Sequence, residues 1–151
     1  MATVRQIFEH ITGTLLPLIN AGSNYTHDIT GAGQEITPSV YVWIERSASS
    51  HAGPASLRGF RKTVRIGLAG FARPSDADGD TKEGRILAAA DLLDDVEIAI
   101  MLSNRLDTGS ARLAQSITLD LTAIDGAEVN SPAHGVCYGV INIVSIRERP
   151  S

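Results

Sequence analysis

The chain has 151 residues, a formal net charge of −4, 43% hydrophobic residues and 20% charged residues. These values are ordinary for one globular domain. A single cysteine, Cys137, excludes a disulfide within the chain, and its apolar neighbours predict a buried, unreactive thiol. No stretch approaches the roughly 18 apolar residues of a membrane-spanning helix, and the first residues do not resemble a signal peptide. We therefore expect synthesis in the cytoplasm and no membrane partner.

Charge is distributed unevenly along the chain. Residues 46–75 carry six basic side chains and no acidic one, a net charge of +6. Residues 76–97 carry eight acidic and two basic side chains, a net charge of −6. Such an asymmetry indicates how a protein associates rather than how it folds.

Residues 3–21 predict a first helix. Thr3 is suited to cap it, with Gln6 three residues later as the second half of a capping box. Pro17 is expected to end or kink the helix in its last turn. Apolar residues recur at helical spacing and predict one buried stripe: Val4, Ile7, Phe8, Ile11, Leu15 and Ile19. Residues 22–38 predict loops, with a short strand near residues 25–29.

Residues 39–45 and 62–72 alternate in the manner of strands and predict a long β-hairpin. Gly67 and Gly70 in the second strand indicate a bulge or a close approach of another chain segment. Between the strands, residues 47–60 (SASSHAGPASLRGF) hold only two large apolar side chains, Leu57 and Phe60. This composition predicts a flexible hairpin arm that cannot pack a core of its own, and loops of this kind are usually functional or disordered. If the chain forms a ring, we expect the arm to order on a neighbouring subunit or on another part of the assembly.

Residues 81–105 predict a second helix, whose polar surface includes Asp91, Asp94, Asp95 and Glu97. Its predicted buried stripe is Ile86, Ala89, Ala90, Leu93, Val96 and Ile100. Residues 117–123 alternate as a half-buried strand. Residues 136–146 are apolar on both faces, which predicts a central strand, and residues 147–151 form a polar tail.

This order predicts a single α+β domain. We expect a mostly antiparallel sheet of four to five strands, two helices packed on one face and a long protruding hairpin. The uncovered face is expected to be apolar as well, through Trp43, Phe71, Cys137, Ile141 and Ile143. Either the sheet curls on itself or a partner chain covers part of that face, which points to an oligomer.

Motifs for catalysis are missing from the sequence. It has no nucleophile elbow, no Walker loop and no histidine pair at metal-binding spacing, because His10, His27, His51 and His134 are scattered. His51 and His134 are expected in solvated loops, and His10 on the helix surface. We therefore expect neither an enzyme nor a cofactor.

Residues 76–80 (DADGD) deserve comparison with a calcium loop. Asp76, Asp78 and Asp80 match its first three ligand positions. Thr81 then replaces the turn glycine and Leu87 replaces the bidentate glutamate. The favoured alternative is a solvated loop whose last carboxylates lie at the start of the second helix, where negative charge is stabilised.

Clustered basic side chains at Arg58, Arg61, Lys62 and Arg65 suit phosphate contacts. The chain is acidic overall, however, and these residues have no interleaved aromatic side chains for stacking on bases. A dedicated nucleic-acid-binding protein is therefore not favoured. A weaker role, contact with DNA that passes through a ring-shaped assembly, is compatible with this basic cluster.

The layout resembles the tail terminator proteins of tailed bacteriophages, within the tail-completion and neck proteins. The resemblance spans nearly the whole chain: the helix VRQIFEHITGTLLPLI, the strand PSVYVWIE, the hairpin, the acidic helix TKEGRILAAADLLDDVEIAI and two closing strands. It implies a non-enzymatic virion protein that forms a ring of six copies at the head-proximal end of the tail tube. Such a ring ends tube polymerisation and joins the tail to the neck. The implied partners are further copies, the tube protein, the connector, the sheath of a contractile tail and passing DNA.

A ring requires head-to-tail interfaces between two different surfaces of one chain, and the two oppositely charged segments offer them. We hypothesise that the basic hairpin of one copy contacts the acidic second helix of the next, with Trp43 and Phe71 as apolar anchors. The candidate interface residues are Trp43, Leu57, Arg58, Phe60, Arg61, Lys62, Arg65, Phe71, Asp91, Asp94, Asp95 and Glu97. Alternatives are another head-tail joining protein, an oligomeric binding module, or charges that only solvate a monomer or pair within it.

Overall fold

A computed structural model of the protein describes residues 3–22, 26–27, 39–51, 59–103, 105–109 and 111–148. The elements, in chain order, are α1 (Val4–His10), a π-helical turn (Ile11–Leu15), α2 (Pro17–Gly22), β1 (Thr26–His27), β2 (Ser39–His51), β3 (Gly59–Ala72), α3 (Lys82–Met101), β4 (Ser116–Asp125), a 3-10 turn (Gly126–Val129) and β5 (Gly135–Glu148). Among these described segments, no helix has both the length and the apolar composition needed to cross a bilayer.

The four long strands form one antiparallel sheet in the order β2-β3-β5-β4. The two-residue strand β1 joins the outer edge of β2 in parallel. Strand β5 lies between β3 and β4, as its apolar residues on both faces predict. The helices pack on one face of this sheet, so the predicted α+β fold is confirmed.

The first helical segment begins as predicted but changes its hydrogen bonding midway. The Thr3 hydroxyl accepts a bond from the Gln6 backbone N–H at 3.1 Å, and the Gln6 side chain accepts one from the Thr3 N–H at 2.9 Å. After Ile11 the turn widens, because the Leu16 N–H bonds to the Ile11 carbonyl, five residues back. Pro17, which has no N–H to donate, begins α2. The wider turn brings Leu16, outside the predicted stripe, into the core.

Helix α3 is shorter than predicted and rotated about its axis. It begins where the Thr81 hydroxyl accepts a bond from the Gly84 N–H at 3.0 Å, and it ends at Met101. Its buried residues are Gly84, Ala88, Ala89, Leu92, Val96, Ala99 and Ile100. Of the predicted stripe, Ile86, Ala90 and Leu93 are only half-buried. The helix carries apolar residues around most of its circumference, so their spacing does not select one face.

The core lies between the helices and the inner face of the sheet. Cys137, Ile141 and Ile143 belong to it and are fully buried, so their assignment to the uncovered face was wrong. The strand pairing gives the reason: Cys137 is the partner of Gly70, which lies directly under Leu92 of α3. Burial raises the pKa of the Cys137 thiol to about 12, in accord with the predicted unreactive cysteine.

Strands β2 and β3 are longer than predicted. They pair from Ser39 opposite Phe71 to His51 opposite Phe60. Residues 47–51 and 59–60 of the predicted arm therefore belong to the sheet. Residues 52–58 lie outside the described part of the chain, and with them the tip on which the predicted protruding hairpin depends. At the other end, β5 continues to Glu148 and includes the first residues of the predicted polar tail.

An ion-pair cluster joins the start of α3 to the end of β4. The Arg85 guanidinium donates to Asp125 at 2.7 Å and to Asp80 at 2.9 Å. Asp125 is buried, and its bond to Arg85 lowers the pKa of that carboxyl. Asp80 is the last residue of the DADGD loop, so one of its carboxylates is paired rather than free. The described residues hold no group of three or more side chains placed to bind a metal ion.

Candidate interaction surfaces

The outer face of the sheet carries a basic surface near the end of β2 and the start of β3. Arg46 and Arg65 are direct cross-strand partners, and Arg61 lies on the same face of β3. Like charges directly opposite each other repel. A β-bulge relieves this repulsion by inserting Glu45, whose carboxylate accepts a bond from Arg65 at 2.6 Å. Within the described part of the chain, Arg46 and Arg61 have no carboxylate within ion-pair distance.

Trp43 lies flat against the backbone of Gly67, its partner on β3. A Cβ atom at Gly67 would overlap the indole ring, so glycine permits the close approach that the sequence indicates. Trp43 is nevertheless 43% exposed. Tyr138 of β5, on the same face, is 44% exposed. We call this surface the basic platform; it comprises Trp43, Arg46, Arg61, Arg65 and Tyr138.

Phe71, the second predicted anchor, lies on the same face at the opposite end, near the start of β2 and the end of β3. Its ring meets Tyr41 edge-on, with centroids 5.7 Å apart, and His134 at 6.2 Å. Phe71 is 7% exposed, so it packs within the chain and offers little surface to a partner. His134 is half-buried rather than solvated: its Nδ1 lies 2.8 Å from the Ser131 hydroxyl, and burial lowers its pKa.

Helix α3 carries a row of exposed residues opposite its buried side. The row is Leu87, Asp91, Asp94, Ile98 and Met101, with spacings of three and four residues that follow one line along a helix. Three of its members are large apolar side chains in contact with water: Leu87 is 44% exposed, Ile98 57% and Met101 47%. We call this row the acidic ridge. Exposed apolar residues in such a regular row are typical of a contact surface.

Within the part of the chain that the structure describes, no cation lies within ion-pair distance of the ridge carboxylates. Among the described residues, Asp91 and Asp94 form no ion pair, and α3 has no basic residue in its last turn. Burial, followed by repulsion from these two carboxylates, raises the pKa of Asp95. Negative charge in the second half of a helix also opposes the helix dipole. A positively charged partner surface would therefore stabilise the ridge.

A groove of about 320 Å³ extends the apolar surface beside the ridge, where α2 meets the end of α3. Its lining residues are Leu15, Leu18, Ile19, Asp95, Ile98, Ala99, Leu102 and Ser103. Leu18 is 57% and Leu102 78% exposed. Because Ile98 belongs to both groove and ridge, the exposed apolar area is continuous across the two helices.

The other predicted interface residues lie apart from these two surfaces. Lys62 pairs with Ser145 and so projects toward the helix side of the sheet, away from the platform. Asp95 lines the groove, Glu97 lies on the flank of α3, and Phe60 is half-buried at the start of β3. Leu57 and Arg58 lie outside the described residues. Of the remaining histidines, His10 is half-buried, and burial lowers its pKa.

The platform and the ridge lie on opposite sides of the molecule. The buried side of α3 faces the sheet, with Leu92 over Gly70 and Ala89 against Gly135. The ridge is on the reverse side of that helix, and the platform is on the reverse side of that sheet. One chain therefore presents a basic surface on one side and an acidic surface on the other.

Both surfaces are suited to recognition. The platform offers guanidinium groups beside a rigid aromatic ring, and the ridge offers carboxylates between aliphatic side chains; aromatic and arginine side chains dominate protein interfaces.

No family model and no curated protein matches the chain. Function must therefore be inferred from the two surfaces and from the order of the elements.

Proposed function

We propose that this protein is a structural subunit of a bacteriophage tail, a tail terminator. Copies of it, six in the family that it resembles, form a ring at the head-proximal end of the tail tube. The ring ends tube polymerisation and joins the tail to the connector. The observation that carries this proposal is the placement of the basic platform and the acidic ridge on opposite sides of one chain.

Complementary surfaces on opposite sides favour head-to-tail association. Each added copy presents the same two free surfaces again, and growth stops only when the rotation between copies closes a ring. A two-fold dimer through the ridge would instead place the Asp91 and Asp94 carboxylates of two copies against each other, which is unfavourable. These surfaces thus support a head-to-tail assembly, and the resemblance to tail terminators favours its closed, ring-shaped form.

The remaining partners follow from the position of such a ring. One rim contacts the tube protein, with the sheath nearby in a contractile tail, and the other contacts the neck or connector, while DNA passes through the centre. The protein then resides at the tail–neck junction of the virion. A head-tail joining ring elsewhere in the same neck is the second candidate, because the same two surfaces would serve it.

Deletion of the gene from its phage tests the proposal and separates these candidates. Without the chain, electron microscopy is expected to show tubes of irregular, extended length that carry no heads, and a plasmid copy should restore normal particles. Tails of normal length that fail to join heads would favour the head-tail joining role. Normal, complete virions without the chain would contradict both.

A further inference from the structure

We infer that the acidic ridge of one copy binds the basic platform of the next, with Ile98 and Met101 over Trp43, and Asp91 and Asp94 against the arginines. The occupant of each surface is therefore a second copy of this chain. This inference deepens the proposed function, on which it rests, by naming the contact that joins neighbouring copies in the ring.

The apolar half of the contact is already organised in the single chain. The Trp43 ring is held against Gly67, so binding does not have to immobilise it. Ile98 and Met101 are about half exposed and follow each other on the ridge. A rigid aromatic surface covered by aliphatic side chains is the usual centre of a stable interface.

The charged half relieves repulsion on both surfaces. On the platform, Arg46 and Arg65 are cross-strand partners, and among the described residues Glu45 alone supplies a counter-charge within ion-pair distance. On the ridge, Asp91 and Asp94 lie one turn apart, and neither has an ion-pair partner among the described residues. Arginine and carboxylate groups form paired hydrogen bonds when they meet, which fixes register as well as charge.

The spacing of apolar and charged groups is compatible on the two surfaces. Along α3, Ile98 lies about 10 Å from Asp91, at the rise of a helix. Along β3, Gly67, which carries the Trp43 ring, lies about 13 Å from Thr63, the centre of the basic cluster, at the rise of a strand. In one orientation the aliphatic residues therefore lie over the aromatic ring while the carboxylates reach the arginines.

Charge reversal at each surface tests the pairing. The platform variant is Arg46→Glu with Arg61→Glu, and the ridge variant is Asp91→Arg with Asp94→Arg. All four positions are exposed and free of ion pairs within the described residues, so both variants should fold, which circular dichroism checks. A control variant, Asp76→Arg with Glu128→Arg, changes the charge as much as the ridge variant but lies outside both surfaces.

Sedimentation velocity of the full-length chain measures how strongly each variant self-associates. Each variant alone should self-associate at least about tenfold more weakly than the wild type, while the control should not. In an equal mixture, the platform variant keeps an intact ridge and the ridge variant keeps an intact platform. These two intact surfaces bind each other, and the two reversed surfaces are complementary as well. Both junctions therefore form between unlike chains, so the mixture should assemble like the wild type, with the two variants alternating. A chain that carries all four substitutions has exchanged its charges and should assemble again.

Several results would overturn the inference. The first is a wild type that stays monomeric at every concentration, and the second is a pair of variants that assemble like the wild type. The third is a defect in only one of the two variants, which would mean that the platform and the ridge do not bind each other. A mixture of the two variants that associates no better than either variant alone would also overturn it. None of these results bears on the tail-length phenotype of the gene deletion, so that experiment tests the proposed function independently of this contact.

Discussion

The two faces of strand β3 differ sharply. On the inner face, Val64, Ile66 and Leu68 are fully buried beneath the helices. On the outer face of the same strand, Arg61 and Arg65 are exposed, and Gly67 is covered by one aromatic ring. The inner face supplies the burial that stabilises the domain, whereas the outer face contributes charge and flat apolar surface. Substitutions of the buried inner side chains should therefore change stability, and substitutions of the exposed outer arginines should change assembly.

The largest effect on stability is expected from Ile66→Ala. Ile66 is fully buried in the main core, and removal of such a side chain leaves a cavity that costs about 2–5 kcal/mol of unfolding free energy. Urea denaturation followed by circular dichroism measures the change. Arg65→Ala, its outer-face neighbour, is the matched control; an equal loss in both variants would show that the two faces do not differ.

A smaller loss of stability is expected from Gly67→Val, a substitution on the outer face that disturbs packing rather than charge. The new side chain would overlap the indole ring of Trp43 and displace it, at a cost of about 1–3 kcal/mol. Fluorescence of Trp43, the sole tryptophan, should shift to the red as the ring enters water. An unchanged emission maximum would mean that the ring does not depend on glycine at this position.

Acid should weaken the attachment of α3 to the sheet. The bond from Arg85 lowers the pKa of Asp125 below its ordinary value of 3.8. A carboxyl whose pKa is lower in the folded state stabilises the fold above its ordinary pKa, and that contribution is lost as the pH falls through the lower value. Denaturation midpoints of wild type and Asp125→Asn should therefore differ by a constant amount above about pH 4 and converge below it. A gap that stays constant to the lowest pH would contradict this role for Asp125.

The smallest effect on stability is expected from charge reversal at Arg46 and Arg61. Both are exposed and unpaired within the described residues, and such substitutions usually change unfolding free energy by less than about 0.5 kcal/mol. Thermal melts should therefore superimpose on those of the wild type at concentrations where both are monomeric. A clear loss of stability would make any assembly defect of the platform variant a folding defect.

Much of the fold could be predicted from the sequence, because strand alternation and helix caps are local signals. Thr3 with Gln6, the central position of β5 and the buried Cys137 were all found in this way. Alternation separates the two faces of a strand but does not tell which face the helices cover, so Ile141 and Ile143 were assigned to the wrong side. The Arg85–Asp125 pair, forty residues apart, leaves no local signal.

Part of the residue content of the two candidate surfaces could be predicted from the sequence. Trp43 and the arginines of β3 stand out by residue type and charge, and so do the carboxylates of α3. The exposure of Leu87, Ile98 and Met101 was missed, because α3 has more apolar residues than one buried face accommodates and their spacing does not show which remain outside. Tyr138 was missed because only the strand order and register place it on the same face of the sheet as Trp43.

The most direct test of head-to-tail assembly is electron microscopy of the purified wild-type protein, with averaging to a resolution that traces the helices. We predict closed rings with a central channel, in which α3 of each copy lies against the outer face of the β2–β3 strands of its neighbour. Two-fold dimers, or rings in which both the ridge and the platform face solvent, would contradict this account.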